Sequence, residues 1–336
     1  MSKKLFPNFN LAYKKILHDL STKGTEVNST TDPMSIGSTF GNKARKTKEI
    51  IGYSFAIEYP YDRSIFLESR PINLPFAIAN CIWTIAGSNS LEFINFYNDR
   101  GKQFSDDQLT LYGAHGKRLF DPNGINQIEA IINRLKTDPY SRRTVAAIYQ
   151  PNDNQVVSRD IPCPIAIQFF QRDGKLHTIT YMRSQSAAMV LPYDVFVFTF
   201  LQEVLAVELG LSLGTYHHVS GSLHYYLDEQ ELVHRVLNEN SISNSNIYIS
   251  APQMPKTISP LQMISTIFNC EEEIRIKIKH SSDKCNLNLP DIPNYWKEVL
   301  LILVIANLTK IGGDIKSYLS YLPEYYSRHF CKLSEE

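Results

Sequence analysis

One cysteine, Cys163, is the first residue of this sequence that could do chemistry. It lies in the segment Asp160-Ile-Pro-Cys-Pro, at the mouth of a stretch with strand character. A cysteine in such a place is usually a small buried apolar side chain. A thiolate is also a strong nucleophile, and nearby guanidinium groups favour the ionised form of a thiol whose free pKa is about 8.5. Cys163 is therefore a candidate nucleophile.

Four short polar motifs accompany this cysteine. The planar fork of an arginine suits a phosphate, and residues two apart on a strand, such as His224 and Tyr226, share one face. Three of the motifs also have an ordinary interpretation, namely a solvated arginine pair, a satisfied core histidine and tyrosine, or an aspartate in the first turn of a helix. Their occurrence together favours a site with anion ligands, a base reader and sugar ligands. The motifs are Ser141-Arg142-Arg143, Arg183-Ser184, Leu191-Pro192-Tyr193-Asp194 and His224-Tyr225-Tyr226.

Apolar periodicity predicts the helices that would position these motifs. A mostly apolar stretch at 71–86 closes with Gly87, which suits a buried helix with a glycine C-cap. The apolar stretch 195–209 is closed in the same way by Gly210. Further helical patterns lie at 11–20, 125–136 and 296–308.

Segments rich in β-branched and aromatic residues predict a sheet. The dipeptide Asp173-Gly174, between two of them, is a hairpin signal. A polar segment at 26–48, rich in Ser, Thr, Gly and Lys, predicts a loop. The predicted strands are 144–150, 165–171, 175–182 and 215–223.

Composition excludes several classes of protein. With 336 residues, of which 43% are apolar and 20% charged, the chain has an ordinary globular balance. Its 34 basic and 34 acidic residues create no field that would draw it onto nucleic acid or a membrane surface, so we expect neither partner. The five cysteines lack CxxC pairs, which argues against a disulfide framework or a zinc ribbon. We therefore expect reduced thiols, no metal and a cytoplasmic protein.

The order and spacing of these motifs resemble the core pattern of the thymidylate synthase family. That pattern has a Pro-Cys nucleophile on a strand, then an Arg-Ser pair, then Leu-Pro-Phe-Asn, then His-x-Tyr. The match runs without a gap from Cys163 to Asp194 and covers roughly residues 45–233. Phe104-Ser-Asp-Asp and Tyr112-Gly-Ala-His-Gly-Lys resemble segments of the branch that includes cytidylate hydroxymethylases.

The resemblance implies a fold and an assembly. The fold is α/β (α+β), a large mixed sheet packed by helices, with extra helices at the C-terminal end. The catalytic core would span 1–238, and a mostly helical extension, 239–336, would pack on it. The assembly is a homodimer in which Arg142 and Arg143 reach the phosphate bound by the neighbouring subunit.

The resemblance also implies a reaction on a pyrimidine nucleoside monophosphate. Cys163 would add to C6 of the base and make C5 nucleophilic toward the one-carbon unit of methylenetetrahydrofolate. Asn80 and Tyr112 would occupy catalytic positions. Arg183 and Ser184 would bind the 5′-phosphate, and His224 and Tyr226 the 3′-hydroxyl. The residues that the resemblance assigns to the substrate are Arg45, Arg142, Arg143, Gln168, Arg183, Ser184, Asp194, His224 and Tyr226.

Asp194 stands at the asparagine position of the family pattern. An asparagine amide complements O4 and N3–H of uracil, whereas an aspartate can accept from the N4 amino group of cytosine and from a protonated N3. The substitution therefore favours CMP or dCMP over dUMP. The leading interpretation is hydroxymethylation of CMP or dCMP.

Departures from the family pattern leave two alternatives open. Asn80 replaces a glutamate that organises proton transfers, and an amide cannot shuttle protons. On the folate side, Ser186, Ala188 and Val190 replace the usual Asp, Phe and Gly, and the C-terminus lacks the family's short apolar tail. The alternatives are thymidylate synthase-type methylation of dUMP and a nucleotide-binding homologue with impaired catalysis.

Overall fold

One mixed β-sheet is the centre of the structure, a computed structural model that describes residues 4–28, 45–120, 124–239, 250–280 and 290–333. Its strands are β1 (Leu5–Phe6), β2 (Thr25–Asn28), β3 (Lys46–Ile57), β4 (Val145–Ala147), β5 (Pro164–Arg172), β6 (Lys175–Ser186) and β7 (Ser212–Tyr226). They lie in the order β1-β3-β7-β6-β5-β4, with β2 also paired to β3. The β1–β3 and β6–β7 pairs are parallel and the others antiparallel. The predicted α/β fold with a large mixed sheet is confirmed.

Helices cover this sheet and one another. They are α1 (Phe9–Lys23), α2 (Leu74–Ile85), α3 (Leu91–Tyr97), α4 (His115–Phe120), α5 (Gln127–Thr137), α6 (Leu191–Glu208), α7 (Gln230–Asn238), α8 (Pro260–His280), α9 (Asn294–Lys310), α10 (Lys316–Leu319) and α11 (Glu324–Ser327). Helix α6 is buried along most of its length because β6, β7, α2 and α8 all pack against it. No helix in the ranges given above is both long and apolar enough to cross a membrane.

The turn between β5 and β6 brings the segment with Cys163 next to the Arg183-Ser184 motif. Asp173 and Gly174 have φ angles of 49° and 71°, so both adopt the left-handed conformation that a tight hairpin turn requires. The predicted hairpin is confirmed. After β6, helix α6 returns the chain to β7, and Gly210 follows the helix with a φ of 68°. This β6–α6–β7 unit carries most of the candidate site.

The loop predicted at 26–48 is wrong at both ends. Strand β2 reaches Asn28 and β3 begins at Lys46, while residues 29–44 lie outside the described residues. The side chains of β2 are all exposed, so the strand has no apolar alternation. Main-chain pairing with β3 forms this ribbon instead, and β3 in turn pairs with β7.

The C-terminal helices pack on the helices of the predicted core. Helix α8 contacts α2, α6 and α9, and α9 also contacts α2. The buried hydroxyl of Tyr97 donates to Glu271 Oε1 at 2.6 Å, and Asn307 Nδ2 donates to the same hydroxyl at 3.3 Å. Side chains on both sides of residue 238 thus share one packed interior. The division of the chain at that residue stays a prediction.

A buried ion pair fixes α6 to the segment that precedes α2. Arg63 Nη2 donates to Glu203 Oε2, and the two side chains are 5% and 2% exposed. The other carboxylate oxygen of Glu203 accepts from the main-chain N–H of Met254 at 2.8 Å. Removing one partner of such a pair leaves an uncompensated buried charge.

We expect Glu203→Ala to lower the free energy of unfolding by about 3–5 kcal/mol, because the guanidinium of Arg63 and the N–H of Met254 would both lose their acceptor. Urea denaturation followed by circular dichroism measures this. Glu231→Ala is the control, since it breaks an Arg235–Glu231 pair whose side chains are 56% and 86% exposed. That loss should stay below about 1 kcal/mol. Equal losses in the two variants would contradict a structural role for the buried pair.

Candidate active site

Cys163 lies immediately before β5, where β6 fixes its position. Its carbonyl accepts a hydrogen bond from the main-chain N–H of Arg183 at 2.9 Å. The guanidinium of Arg183 then folds back, so that Nε donates to the carbonyl of Pro162 and Nη2 to that of Ile161, each at 2.9 Å. The positive charge is therefore held beside the segment that carries the thiol.

The charge around Cys163 is mixed. Burial raises the pKa of the Cys163 thiol to about 11, Arg183 lowers it, and the carboxyls of Asp194 and Asp160 raise it. The net direction is opposite to the one expected from sequence, because burial and two acids outweigh one guanidinium. The thiol is therefore protonated at neutral pH.

Asp194 lies in the first turn of α6 and is 8% exposed. Its Oδ2 accepts from Gln185 Nε2 at 2.8 Å. Burial raises the pKa of Asp194 to about 7, and the hydrogen bond from Gln185 lowers it. Asp194 is close enough to raise the pKa of Cys163, and its own pKa lies near neutral pH.

His224 and Tyr226 lie near the end of β7 on one face. Their ring centroids are 5.4 Å apart with the planes at 83°, an edge-to-face contact. Burial lowers the pKa of His224, so the imidazole is neutral at neutral pH. Burial raises the pKa of Tyr226, the guanidinium of Arg45 lowers it, and an ionised Cys163 would raise it further. The pair therefore borders the same cluster as the thiol.

Arg45 also joins this group. Its guanidinium lies 3.5 Å from the ring centroid of Tyr226, and Nε donates to Asp228 Oδ2 at 2.8 Å. A second carboxylate, Glu229, is 3.7 Å from Nη2. Binding a phosphate, as the sequence resemblance implies, would require Arg45 to exchange these carboxylates for the ligand.

Tyr112 is held by a buried ion pair that the sequence analysis does not predict. Its hydroxyl donates to Asp153 Oδ1 at 2.8 Å, and Arg118 donates to both oxygens of that carboxylate at 2.6 and 3.0 Å. The next residue, Gly113, donates its N–H to Asp160 at 2.8 Å, three residues before Cys163. Tyr112 is therefore connected to the nucleophile segment through main chain and a carboxylate.

Asn80 lies on α2 and is half-buried. Its amide oxygen accepts from the hydroxyl of Thr84 at 3.4 Å, one turn further along the helix. A hydroxyl and an amide cannot provide the titratable group that a glutamate would supply. The position is polar but has no proton to exchange near neutrality.

Arg142, Arg143 and Gln168 lie toward the β4 edge of the sheet. Gln168 Nε2 donates to the carbonyl of Arg142 at 3.1 Å, which ties the arginine pair to β5. The two arginines are exposed and border a shallow cavity of about 340 Å³ together with Arg134. None of the hydrogen bonds or ion pairs within the described ranges joins them to Cys163 or Asp194. The sharing of these arginines between subunits stays a prediction.

Ser184 is half-buried on β6 and pairs in register with Ser222 of β7. The next residue, Gln185, is 1% exposed and connects Asp194 to His218. Sequence reasoning missed Gln185, although it lies inside the Arg183-to-Asp194 motif. The signal that could have indicated it in the sequence is a polar side chain close to the end of a predicted strand. Nowhere in the described part of the chain is a group of three or more His, Cys, Asp or Glu side chains arranged to share a metal ion.

Comparisons with known proteins show what this chain is similar to. A model of the family described as Thymidylate synthase matches residues 12–279. A deoxyuridylate hydroxymethyltransferase of Bacillus phage SP01 is 31% identical over 206 residues, which are 57% of this chain and 54% of that protein. Its counterpart from Delftia phage PhiW-14 is 30% identical over 199 residues, 54% of each chain. The chain therefore spans about half the length of these relatives.

A bacterial protein also matches. A thymidylate synthase of Francisella philomiragia subsp. philomiragia is 24% identical over 211 residues, which are 58% of this chain and 77% of that protein.

We expect the rate of alkylation of Cys163 by iodoacetamide to keep rising between pH 8 and 10, because the pKa of the thiol is about 11 and only the thiolate reacts. Asp194→Asn should speed alkylation several-fold at pH 8, since it removes an acid that raises this pKa. Mass spectrometry of the Cys163 peptide measures the rate. Asp314→Asn, which lies far along the chain after α9, should leave it unchanged. A rate that is already constant above pH 8 would contradict the expected pKa.

Proposed function

The chain belongs to the thymidylate synthase family, and from that premise we propose that it transfers a one-carbon unit to C5 of a pyrimidine nucleoside monophosphate. The proposed reaction is hydroxymethylation of CMP or dCMP. The observation that carries this proposal is the cluster in which the charges of Arg183 and Asp194 both act on the Cys163 thiol. A nucleophile, an anion ligand and a base reader are thereby close together.

Cys163 opens the proposed reaction. Its thiolate forms a bond from Sγ to C6 of the base, and the electron pair of the C5–C6 double bond moves to C5, which becomes nucleophilic. Arg183 and Ser184 would hold the 5′-phosphate, while His224 and Tyr226 would bind the sugar. C5 would then bond to the one-carbon unit and lose its proton, with release of tetrahydrofolate. Water would add at the resulting exocyclic carbon, and breaking of the Sγ–C6 bond would restore the C5–C6 double bond and free both the thiolate and the hydroxymethyl product.

The cofactor of the proposed reaction is methylenetetrahydrofolate, which supplies the one-carbon unit when it is bound. One observation fits it. The hydroxyl of Ser186 is buried and has no hydrogen-bond partner among the described residues. Ser186 pairs in register with His224, at the end of the sheet that carries the cluster. A polar ring edge of the cofactor would satisfy this hydroxyl, which is otherwise costly to bury.

We propose a homodimer with arginines shared across the interface. One cross-strand row on the sheet, Ala147, Ala166, Tyr181 and Val219, is exposed or half-buried in the single chain. The residues that alternate with it, such as Ala146 and Ile167, are buried under the helices. A second copy on this row would bring Arg142 and Arg143 to the phosphate held by its partner.

Two observations support other candidates. The phage relatives named deoxyuridylate hydroxymethyltransferase favour a uridine nucleotide as substrate of the same reaction. Asn80 favours a nucleotide-binding homologue with impaired turnover, and methylation of dUMP stays an alternative as well. We propose a cytidine nucleotide as the substrate because the carboxyl oxygens of Asp194 can accept hydrogen bonds from the amino group of cytosine.

Release of tritium from [5-³H]CMP or [5-³H]dCMP tests the nucleophile. Addition of Cys163 at C6 makes the C5 hydrogen exchangeable, so the wild-type protein should release tritium and Cys163→Ser should not. Cys270→Ser, which removes another half-buried thiol, is the control and should retain release. Residual release in Cys163→Ser at the wild-type rate would refute the assignment of the nucleophile.

In the same assay, Asn80→Glu should raise turnover, because it restores a group that can exchange protons. General acid–base catalysis contributes roughly 10²–10⁴-fold. If the wild-type protein and Asn80→Glu both bind nucleotide but neither releases tritium, the binding-homologue alternative is preferred.

Subunit mixing tests the shared site. Cys163→Ser and Arg142→Ala are each expected to be inactive, but a heterodimer of the two has one site with an intact Cys163 and the partner's intact arginine. Random exchange should therefore restore about one quarter of wild-type activity. Cys163→Ser mixed with Cys163→Ala is the control, because no heterodimer of these contains an intact thiol. An inactive mixture, despite proven exchange, would exclude arginine sharing.

A further inference from the structure

Behind Asp194 lies a chain of three buried polar side chains. Gln185 donates from Nε2 to Asp194 Oδ2 at 2.8 Å, and its Oε1 is 3.1 Å from His218 Nε2. His218 Nδ1 is in turn 2.9 Å from the hydroxyl of Tyr216. Gln185, His218 and Tyr216 are each at most 1% exposed. Water does not reach them, so each must be satisfied by its neighbours.

The chain of hydrogen bonds has a direction. Burial lowers the pKa of His218 to about 3, so the ring is neutral and has one donor and one acceptor nitrogen. When the Tyr216 hydroxyl donates to Nδ1, the proton of the ring is on Nε2, and Nε2–H donates to Gln185 Oε1. The amide nitrogen of Gln185 must then face Asp194. Turning the amide over would place its oxygen against the carboxyl oxygen and its NH₂ group against Nε2–H.

Because of this direction, the two carboxyl oxygens of Asp194 have different roles. Oδ2 is committed as an acceptor from Gln185, and Oδ1 is left for a ligand. An ionised Asp194 then presents Oδ1 as an acceptor, which matches the N4 amino group of cytosine and repels O4 of uracil. A protonated Asp194 could donate from Oδ1 to O4. The hydrogen bond from Gln185 stabilises the ionised form against burial.

We propose that Gln185 is a specificity-determining positioning residue: held by His218, it keeps Asp194 an acceptor and so selects a cytidine over a uridine nucleotide. The inference rests on the proposed function, because it assumes that Asp194 reads the base. Gln185 acts through Asp194 and need not touch the ligand. The relatives that act on deoxyuridylate make the choice of base an open question within the family.

Three titratable groups near Asp194 are neutral when Asp194 titrates. On β7 these are His218 and Tyr216, and before β5 it is Cys163, whose pKa is raised to about 11. Tyr193 precedes Asp194 in α6, and α2 carries no charged residue and only Cys81 as a titratable one. On α8, Glu271 is bonded to Arg275 and Tyr97. A change in base preference between pH 6 and 8 therefore reports the ionisation of Asp194.

The test compares binding of dCMP and dUMP, and of CMP and UMP, by calorimetry between pH 6 and 9. The wild-type protein should prefer the cytidine nucleotide about tenfold at pH 8 and lose part of that preference toward pH 6. Gln185→Leu should weaken cytidine binding about tenfold at pH 8, leave uridine binding equal or tighter, and move the midpoint of the pH profile upward. His218→Phe should act in the same direction, since the Gln185 oxygen loses its donor.

A matched control separates positioning from packing. Gln202→Leu removes another fully buried glutamine amide, which donates to the carbonyl of Leu176 at 2.8 Å. It should lower thermal stability as Gln185→Leu does, but leave the base preference and its pH profile unchanged. If Gln185→Leu does not fold, Gln185→Met keeps the length of the side chain, loses the donor and should show the same loss of preference.

Three results would overturn the inference. One is a Gln185→Leu or Gln185→Met protein that keeps both the wild-type preference and its pH profile. Another is a wild-type protein that binds both bases equally, which would leave nothing for Gln185 to determine. A wild-type protein that binds none of the four nucleotides would overturn the proposed function as well, and that outcome is distinct from the other two.

Discussion

The burial of a carboxyl group and a thiol in one cluster is the constraint on which the candidate site depends. Each group favours its neutral form there, since burial raises the pKa of Asp194 to about 7 and that of Cys163 to about 11. Gln185 opposes this effect at the carboxyl, and Arg183 opposes it at the thiol. Arg183 and Gln185 both lie on β6, and Arg183 is fixed because its main-chain N–H and its guanidinium both donate to main-chain carbonyls. The register of β6 against its neighbours therefore sets the charge balance of the site.

Helix α6 must be rigid for this arrangement to hold, because Asp194 lies in its first turn. The turn before the helix is fixed by Arg70, which donates to the carbonyls of Ala188 and Met189 at 2.9 Å, and by the hydroxyl of Tyr13, which also donates to Ala188 at 2.9 Å. Further along α6, the sheet, α2 and α8 cover the apolar surface. The C-terminal helices contribute to the site in this indirect way, by supporting the helix that carries the carboxyl.

Local signals made part of this structure predictable from sequence. Asp173-Gly174 predicts its hairpin because only residues that tolerate a positive φ fit a two-residue turn, and the apolar run before Gly210 predicts α6. Strand β3 begins in a segment that is polar in sequence, and its pairing with β7 depends on residues about 170 positions away.

The candidate site shows the same difference between local signals, which a sequence reveals, and long-range contacts, which it does not. The motif residues cluster because they lie on adjacent strands and one helix. The partners of Arg45, Tyr112 and Asp194 are Asp228, Asp153 and Gln185. Asp228 and Asp153 lie far along the chain from their partners, and no spacing rule indicates either pair. Gln185 is only nine positions from Asp194, but its link onward to His218 spans 33 positions. Such contacts follow from the three-dimensional packing alone.

Recognition of the base and activation of the thiol are electrostatically coupled in this arrangement. The negative charge of Asp194 is one of the influences that raise the pKa of Cys163. In the proposed reaction, an amino group or a protonated N3 of cytosine that donates to Asp194 would offset part of that charge. The pKa of Cys163 would then fall, because Arg183 would be opposed by a smaller negative charge near the thiol. A ligand that leaves Asp194 unsatisfied would leave the thiol protonated. In the proposed reaction the Cys163 thiol would thus stay neutral until a matching base is bound, and selection of the base would become selection for reaction.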